Sequence, residues 1–241
     1  MFKRLFAAFG REPSPPRGSK ITVGCGAIHH FIREVHRENI DRGAVASFGN
    51  TFTVEQTFTP QKGEVAGALM SVERKVLDGK SEGTALYDSI VRLGHSFAVT
   101  SLERRAFGVV IAVTDGMDVS SSEFKGNPTA AGLAYAEFIR ESRNPVHTIL
   151  IGVGSDREID RVALNRLASA GQMQLTTVDN MSRLGAFLYQ LGTQLREGTI
   201  TRVVQAGNYA IAARQRVAQV SVIPYDYAIL MDRSGSMKDS Q

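Results

Sequence analysis

Three short, nearly unbroken apolar runs constrain this chain more than any other feature. They are Phe107–Thr114 (Phe-Gly-Val-Val-Ile-Ala-Val-Thr), residues 146–151 (Val-His-Thr-Ile-Leu-Ile) and Tyr225–Asp232 (Tyr-Asp-Tyr-Ala-Ile-Leu-Met-Asp). Their length suits strands, and their continuity suits strands covered on both faces, as in a parallel sheet. Around them lie stretches with helical periodicity. Residues 22–38 place Val23, Ala27, Ile28, Phe31, Ile32 and Val35 on one stripe, and residues 62–77, 85–97, 129–142, 157–170 and 181–195 also read as helices. Residues 44–48 and 52–58 read as a hairpin joined by Gly49-Asn50, and residues 172–178 as a weaker strand. This alternation predicts an α/β protein with a doubly wound, mostly parallel sheet, whose ligands bind beyond the carboxyl ends of the strands. Residues 196–224 are less legible. Their 200–205 and 209–223 segments suit either an extra hairpin or a connecting helix, so the stretch is read as an irregular insertion or linker.

Length and charge narrow the classes further. A chain of 241 residues can bury a sizeable core, and 43% hydrophobic against 22% charged residues excludes wholesale disorder. No apolar run approaches the roughly 18–20 residues that cross a bilayer. The single cysteine, Cys25, excludes an intrachain disulfide and a Cys-rich zinc site, and fits a reducing, cytoplasmic setting. Residues 1–20 carry Lys3, Arg4, Arg11, Arg17 and Lys20 against Glu12, which accounts for the whole formal charge of +4. The body is therefore neutral and offers nucleic acid no net positive field. Residues 1–19 are read as a basic, flexible tail ending in a Pro- and Gly-rich linker. Within it Phe2, Leu5, Phe6 and Phe9 have helical spacing. A membrane-surface helix over residues 1–10 is one reading, and a frayed terminus is preferred.

Two of the buried strands end in acid-bearing loops, Asp232-Arg-Ser234-Gly-Ser236 and Asp115-Gly116, and a third loop, Gly83-Thr84, opens a helix. Two carboxylates and three hydroxyls form an all-oxygen donor set, which suits a hard divalent cation and not zinc or copper. Alternate residues of a tightly turning loop can point the same way, and Gly235 lets that backbone turn closely.

These residues resemble the von Willebrand factor type A (vWA) domain and its metal-ion-dependent adhesion site. The pattern Asp-x-Ser-x-Ser, a separate Thr and a separate Asp-Gly is matched by Asp232, Ser234, Ser236, Thr84, Asp115 and Gly116. Gly-Thr-Ala-Leu-Tyr-Asp-Ser-Ile, Ile-Ala-Val-Thr-Asp-Gly-Met-Asp and Ile151-Gly-Val-Gly154 are also similar to the family, and the likeness runs from about residue 20 onward. The resemblance implies a Rossmann-like fold in which Ser234, Ser236 and Thr84 are inner ligands. Asp232 and Asp115 would act directly or through water on Mg²⁺, with Mn²⁺ or Ca²⁺ as alternatives. It further implies a non-catalytic module in which a partner's Asp or Glu completes the coordination. From their places in these loops, Arg233, Asp118 and Gly116 are read as a partner-binding rim, with an ordinary solvated loop the alternative for Asp118 and no specific role the alternative for Arg233.

One departure is large: the family begins with the Asp-x-Ser-x-Ser strand, whereas this chain ends with it. Joining Gln241 to Lys20 on paper restores an uninterrupted family start, so residues 20–241 are read as one circularly permuted domain. The last strand would then enter the sheet centre, between residues 44–48 and Phe107–Thr114. The competing account is that residue 225 onward begins a second, truncated copy of the domain, with the strand lent to a neighbour as a domain-swapped dimer. Two rival functions remain. The first is a Mg²⁺-dependent phosphoryl-transfer or hydrolytic enzyme, disfavoured because Ser234 stands where a second acid is wanted and no Lys or His near these loops offers itself as acid or base. The second is a structural domain whose metal face is filled by Asp239, the Gln241 carboxylate or Glu12. Weaker signals, such as Cys25 with His29 and Gly152-Val-Gly154, read as a packed helix face and a turn.

Overall fold

The structure is a computed structural model that describes residues 18–79, 83–100, 102–115, 117–155, 158–179, 181–196, 199–206, 209–216 and 224–238. Helix α1 (Lys20–Val35) starts two residues earlier than its apolar stripe suggests, because Ser19 caps it: the Ser19 hydroxyl accepts from the Thr22 amide at 3.4 Å. It ends at His36, whose extended backbone (φ −70°, ψ 119°) stops the helix before residue 38. The remaining elements follow as β1 (Arg42–Phe48), β2 (Phe52–Thr59), α2 (Lys62–Asp78), α3 (Leu86–Thr100) and β3 (Phe107–Thr114). After them come α4 (Pro128–Glu141), β4 (Val146–Val153), α5 (Arg161–Ala170), β5 (Gln174–Val178) and α6 (Met181–Arg196). The chain closes with β6 (Thr199–Ala206), β7 (Tyr209–Arg216), β8 (Tyr225–Asp232) and a 3₁₀ turn at Gly235–Lys238. Helix α5 begins at residue 161, later than expected, because the Asp160 carboxylate caps it by accepting from the Ala163 amide.

Six strands form one sheet in the order β2-β1-β8-β3-β4-β5, parallel except for the β2 edge. Helices α1, α2 and α6 cover one face and α3, α4 and α5 the other, which gives the expected doubly wound arrangement. The period-2 alternation of strand side chains divides β8 between the two cores. Tyr225, Tyr227, Ile229 and Met231 join the first, and Ala228 and Leu230 the second. All eight β8 residues are buried. The last strand in sequence thus lies at the sheet centre of its own chain, with Phe48 opposite Asp232 on one side and Val113 opposite Met231 on the other.

Polar contacts pin the entry to β8. Asp226, 2% exposed, pairs with Arg42 at 2.8 Å and also with Arg104. The Tyr225 amide donates to Asp41 at 2.8 Å, and Arg37 holds the same carboxylate at 2.7 Å. Tyr227 Oη lies 2.8 Å from His36 Nδ1. A one-residue slip would leave these buried charges without partners, so the network enforces one register. Close packing does the same at Gly43, where an added Cβ would stand 2.7 Å from the Tyr227 ring.

The stretch read as either hairpin or helix forms the antiparallel pair β6–β7. Residues 1–17, with the membrane-surface reading of residues 1–10, lie outside the described residues, as do 217–223. Among the described residues no helix is long and apolar enough to cross a membrane. Substituting Leu230→Ala, at a fully buried position, should lower unfolding free energy in denaturant titrations by about 2–5 kcal/mol. Val54→Ala, on the exposed side of edge strand β2, should stay within about 0.5 kcal/mol of the parent.

Candidate metal centre

The register of β8 decides what meets at its carboxyl end. Asp232 is fully buried, and Thr114, one step past the Met231–Val113 pair, donates its hydroxyl to Asp232 Oδ2 at 2.7 Å. The backbone then turns sharply. The Arg233 amide donates to the Phe48 carbonyl at 2.6 Å and the Ser234 amide to Asp232 Oδ1 at 2.7 Å. This local side-chain-to-backbone bond fixes the start of the loop. The 3₁₀ turn that follows is anchored by Met237, which is fully buried, and by Lys238, which donates to the Gly79 carbonyl.

Ser234 and Ser236 project from this turn to the same side, their hydroxyl oxygens 2.8 Å apart. Both reach Asp115 from the end of β3. Ser236 donates to Asp115 Oδ1 at 2.7 Å and Ser234 to the same oxygen at 3.4 Å. Four of the five ligands expected from sequence therefore meet around one point. Thr84, 4% exposed, lies on the adjoining loop. That loop is tied to the same sheet edge by bonds from the Ala85 amide to the Gly49 carbonyl (2.7 Å) and from the Gly83 amide to Asn50 Oδ1 (2.9 Å). The Thr84 carbonyl accepts from the Val119 and Ser120 amides, locking the loop after β3 beside it.

The rim residues have other engagements. Asp118 turns inward, its Oδ1 accepting from Ser121 Oγ (2.7 Å) and from the Tyr87 amide in the first turn of α3 (3.2 Å). A carboxylate at a helix start satisfies an otherwise orphaned amide. Arg233 is half-buried and its guanidinium lies 3.4 Å from Thr53 Oγ1, folded over β2. Gly116 falls outside the described residues, as do Glu12, Asp239 and Gln241.

Sequence reasoning missed three contributors. Asn50 was legible only as a turn residue. Its Oδ1 also accepts from Ser120 Oγ at 3.0 Å and so clamps two loops together. At Gly83 a Cβ would run into Ser120 Oγ and Asn50 Oδ1, so a larger residue there would displace the Asn50–Ser120 clamp. The third is a lysine that no motif joins to these loops. Lys20, at the start of α1, donates to Asp115 Oδ2 at 3.1 Å and to Glu158 Oε1 at 3.2 Å. Burial opposes the Lys20 charge, but Asp115 and then Glu158 outweigh it and raise its pKa, so it remains a cation. Glu158 accepts from the Ser155 amide, the main reason its carboxyl drops to about 2.

Burial and the neighbouring Asp115 charge push the Asp232 carboxyl up to about 7, against the pull of bonds from Thr114 and Ser234. Two buried carboxylates with hydroxyls between them are the electrostatic condition that a cation relieves, and the oxygen-only donors match a hard divalent ion. The residues present therefore fit such an ion. Among the described residues no group of three or more His, Cys, Asp or Glu side chains gathers into a metal site, so the hydroxyls are indispensable to any such centre.

No protein-family model matches the chain, and neither does any curated protein. Solved structures share its fold. BatB from Bacteroides thetaiotaomicron, a conserved hypothetical protein, superposes with TM-score 0.52 at 17% identity, over 72% of this chain and 87% of its own. A von Willebrand factor type A protein from Catenulispora acidiphila gives 0.53 at 13% identity, over 76% of this chain and 40% of its own. A mutant of the PilB minor pilin from Streptococcus sanguinis gives 0.55 at 11% identity, over 78% and 55%. The chain thus spans about half the length of the last two. Identities this low carry the fold and nothing beyond it: a Rossmann-like α/β sheet of the vWA type.

The Asp232 shift has a definite sign. Between its ordinary value near 3.8 and about 7, the folded chain holds a proton that the unfolded chain has lost, so this group's contribution to stability falls as pH rises through that window. In chelator, the stability difference between the parent and Asp232→Asn should therefore move steadily against the parent from pH 5 to pH 7 and level off above. Urea midpoints at each pH provide the check.

Proposed function

We propose that this chain is a non-catalytic protein-binding module of the vWA type, which captures an acidic side chain of a partner through a divalent metal ion, Mg²⁺ by preference. The observation that carries the reading is the convergence of Asp115, Ser234 and Ser236 on one point beside the buried Asp232. Ser234, Ser236 and Thr84 would hold the ion directly, with Asp232 and Asp115 supplying compensating charge. When bound, the ion supplies Lewis acidity for a carboxylate ligand. With hydroxyls rather than carboxylates as its direct ligands, the ion would stay electrophilic toward that incoming carboxylate. Met117 and Val119, 48% and 69% exposed, flank the loop after β3 and suit a partner whose acid is bordered by apolar groups.

The same reading includes the permutation. The Asp-x-Ser-x-Ser strand is the last in sequence, yet it occupies the central position between β1 and β3. Its exit turn packs against α1, the first helix, so the two ends of residues 20–238 meet at the proposed site. A hydrolytic enzyme is the weaker reading, because Lys20, held as a cation by two carboxylates, is not available as a base.

Thermal melting during a Mg²⁺ titration tests the proposal. At a concentration about 100 times Kd, linkage should add about 2.7 kcal/mol to the parent chain. Asp232→Ala and Ser234→Ala should show no such gain. A parent chain that melts at the same temperature with Mg²⁺, Mn²⁺ and chelator would overturn the reading. A pull-down with and without chelator then addresses the partner.

A further inference from the structure

Asp115 divides its two oxygens between opposite neighbours. Oδ1 faces the serine hydroxyls, while Oδ2 accepts from the Lys20 ammonium at 3.1 Å. This is not a surface ion pair of small effect, since the side chains are 13% and 0% exposed. The ammonium is also held in place. Lys20 is the first residue of a helix capped by Ser19, and its second contact, to Glu158 Oε1 at 3.2 Å, keeps it from swinging away. Glu158 is itself fixed by the Ser155 amide at 2.7 Å, and its 46% side-chain exposure leaves its charge screened by solvent.

We propose that Lys20 is a built-in cation that sets the charge of the metal centre, weakening divalent-ion binding while favouring an anionic ligand once the ion is bound. The proposal rests on the metal-binding reading above. Asp232 and Asp115 together match the charge of one divalent ion, so without Lys20 the loaded centre would be neutral. With Lys20 beside Asp115 the buried centre keeps one positive charge for an incoming carboxylate. In the absence of an ion, the ammonium neutralises Asp115 and relieves the repulsion between the two acids. One residue therefore acts in opposite directions on the two binding steps, which separates it from a merely structural contact.

The test uses the full chain with the charge removed at near-constant length, Lys20→Met, alongside Lys20→Gln so that the conclusion does not depend on one variant folding, and Lys20→Arg, which retains the charge. Mn²⁺ binding by calorimetry should be about tenfold tighter in the two neutral variants, within the range of ordinary site–site coupling, and close to the parent in Lys20→Arg. At saturating Mn²⁺, a short acetylated peptide carrying one Glu should bind the neutral variants several-fold more weakly than the parent. In chelator the neutral variants should melt below the parent and recover more on adding Mn²⁺. Parent and neutral variants binding Mn²⁺ equally would overturn the role of Lys20 and leave the metal centre standing, as would neutral variants that bind the peptide as well as the parent does. Failure of every chain to bind Mn²⁺ would remove the metal-binding reading and this inference with it.

Discussion

The central position of β8 is the constraint on which the rest of the structure depends. A strand buried on both faces and paired on both edges cannot be left out without exposing β1 and β3 as long apolar edges and opening both cores. Although it is the last of the six strands in sequence, β8 holds the position between β1 and β3. The anchoring charges at its start are a consequence of that position. Asp226 and Asp41 lie at the amino ends of the parallel strands, where Arg42, Arg104 and Arg37 can reach them, and their mutual pairing makes any other register costly.

The opposite end of the same strand is where the chain concentrates chemistry. Parallel strands deliver their carboxyl ends to one edge, so Asp232 and Asp115 emerge side by side, already desolvated. Two buried acids at such proximity require compensation. The fold supplies it from the hydroxyls of Thr114, Ser234 and Ser236 and from the ammonium of Lys20. Asn50 and Gly83 hold the surrounding loops close enough for the arrangement to persist.

Much of this was legible residue by residue. The unbroken apolar runs identify β3, β4 and β8 because burial on both faces leaves no polar positions to interrupt them. The stripe from Val23 to Val35 identifies α1 because a helix with one covered face repeats at its own period. Boundaries were less legible, since they turn on single capping contacts such as Ser19 and Asp160. Residues 199–216 were ambiguous because apolar and polar positions there satisfy neither period cleanly, and only the pairing of β6 with β7 decides the conformation.

By itself, then, the sequence determined the class of fold, the identity of the central strand and four side chains that meet at its end, because each is written in local periodicity or in a compact motif. Only the tertiary structure decided that Lys20 sits on Asp115, that Asp118 is spent on the first turn of α3 and that Asn50 joins two loops. Lys20 and Asp115 are 95 residues apart, and no local pattern relates them. Their meeting depends on how α1 docks against the sheet, and that is decided by the packing of whole faces.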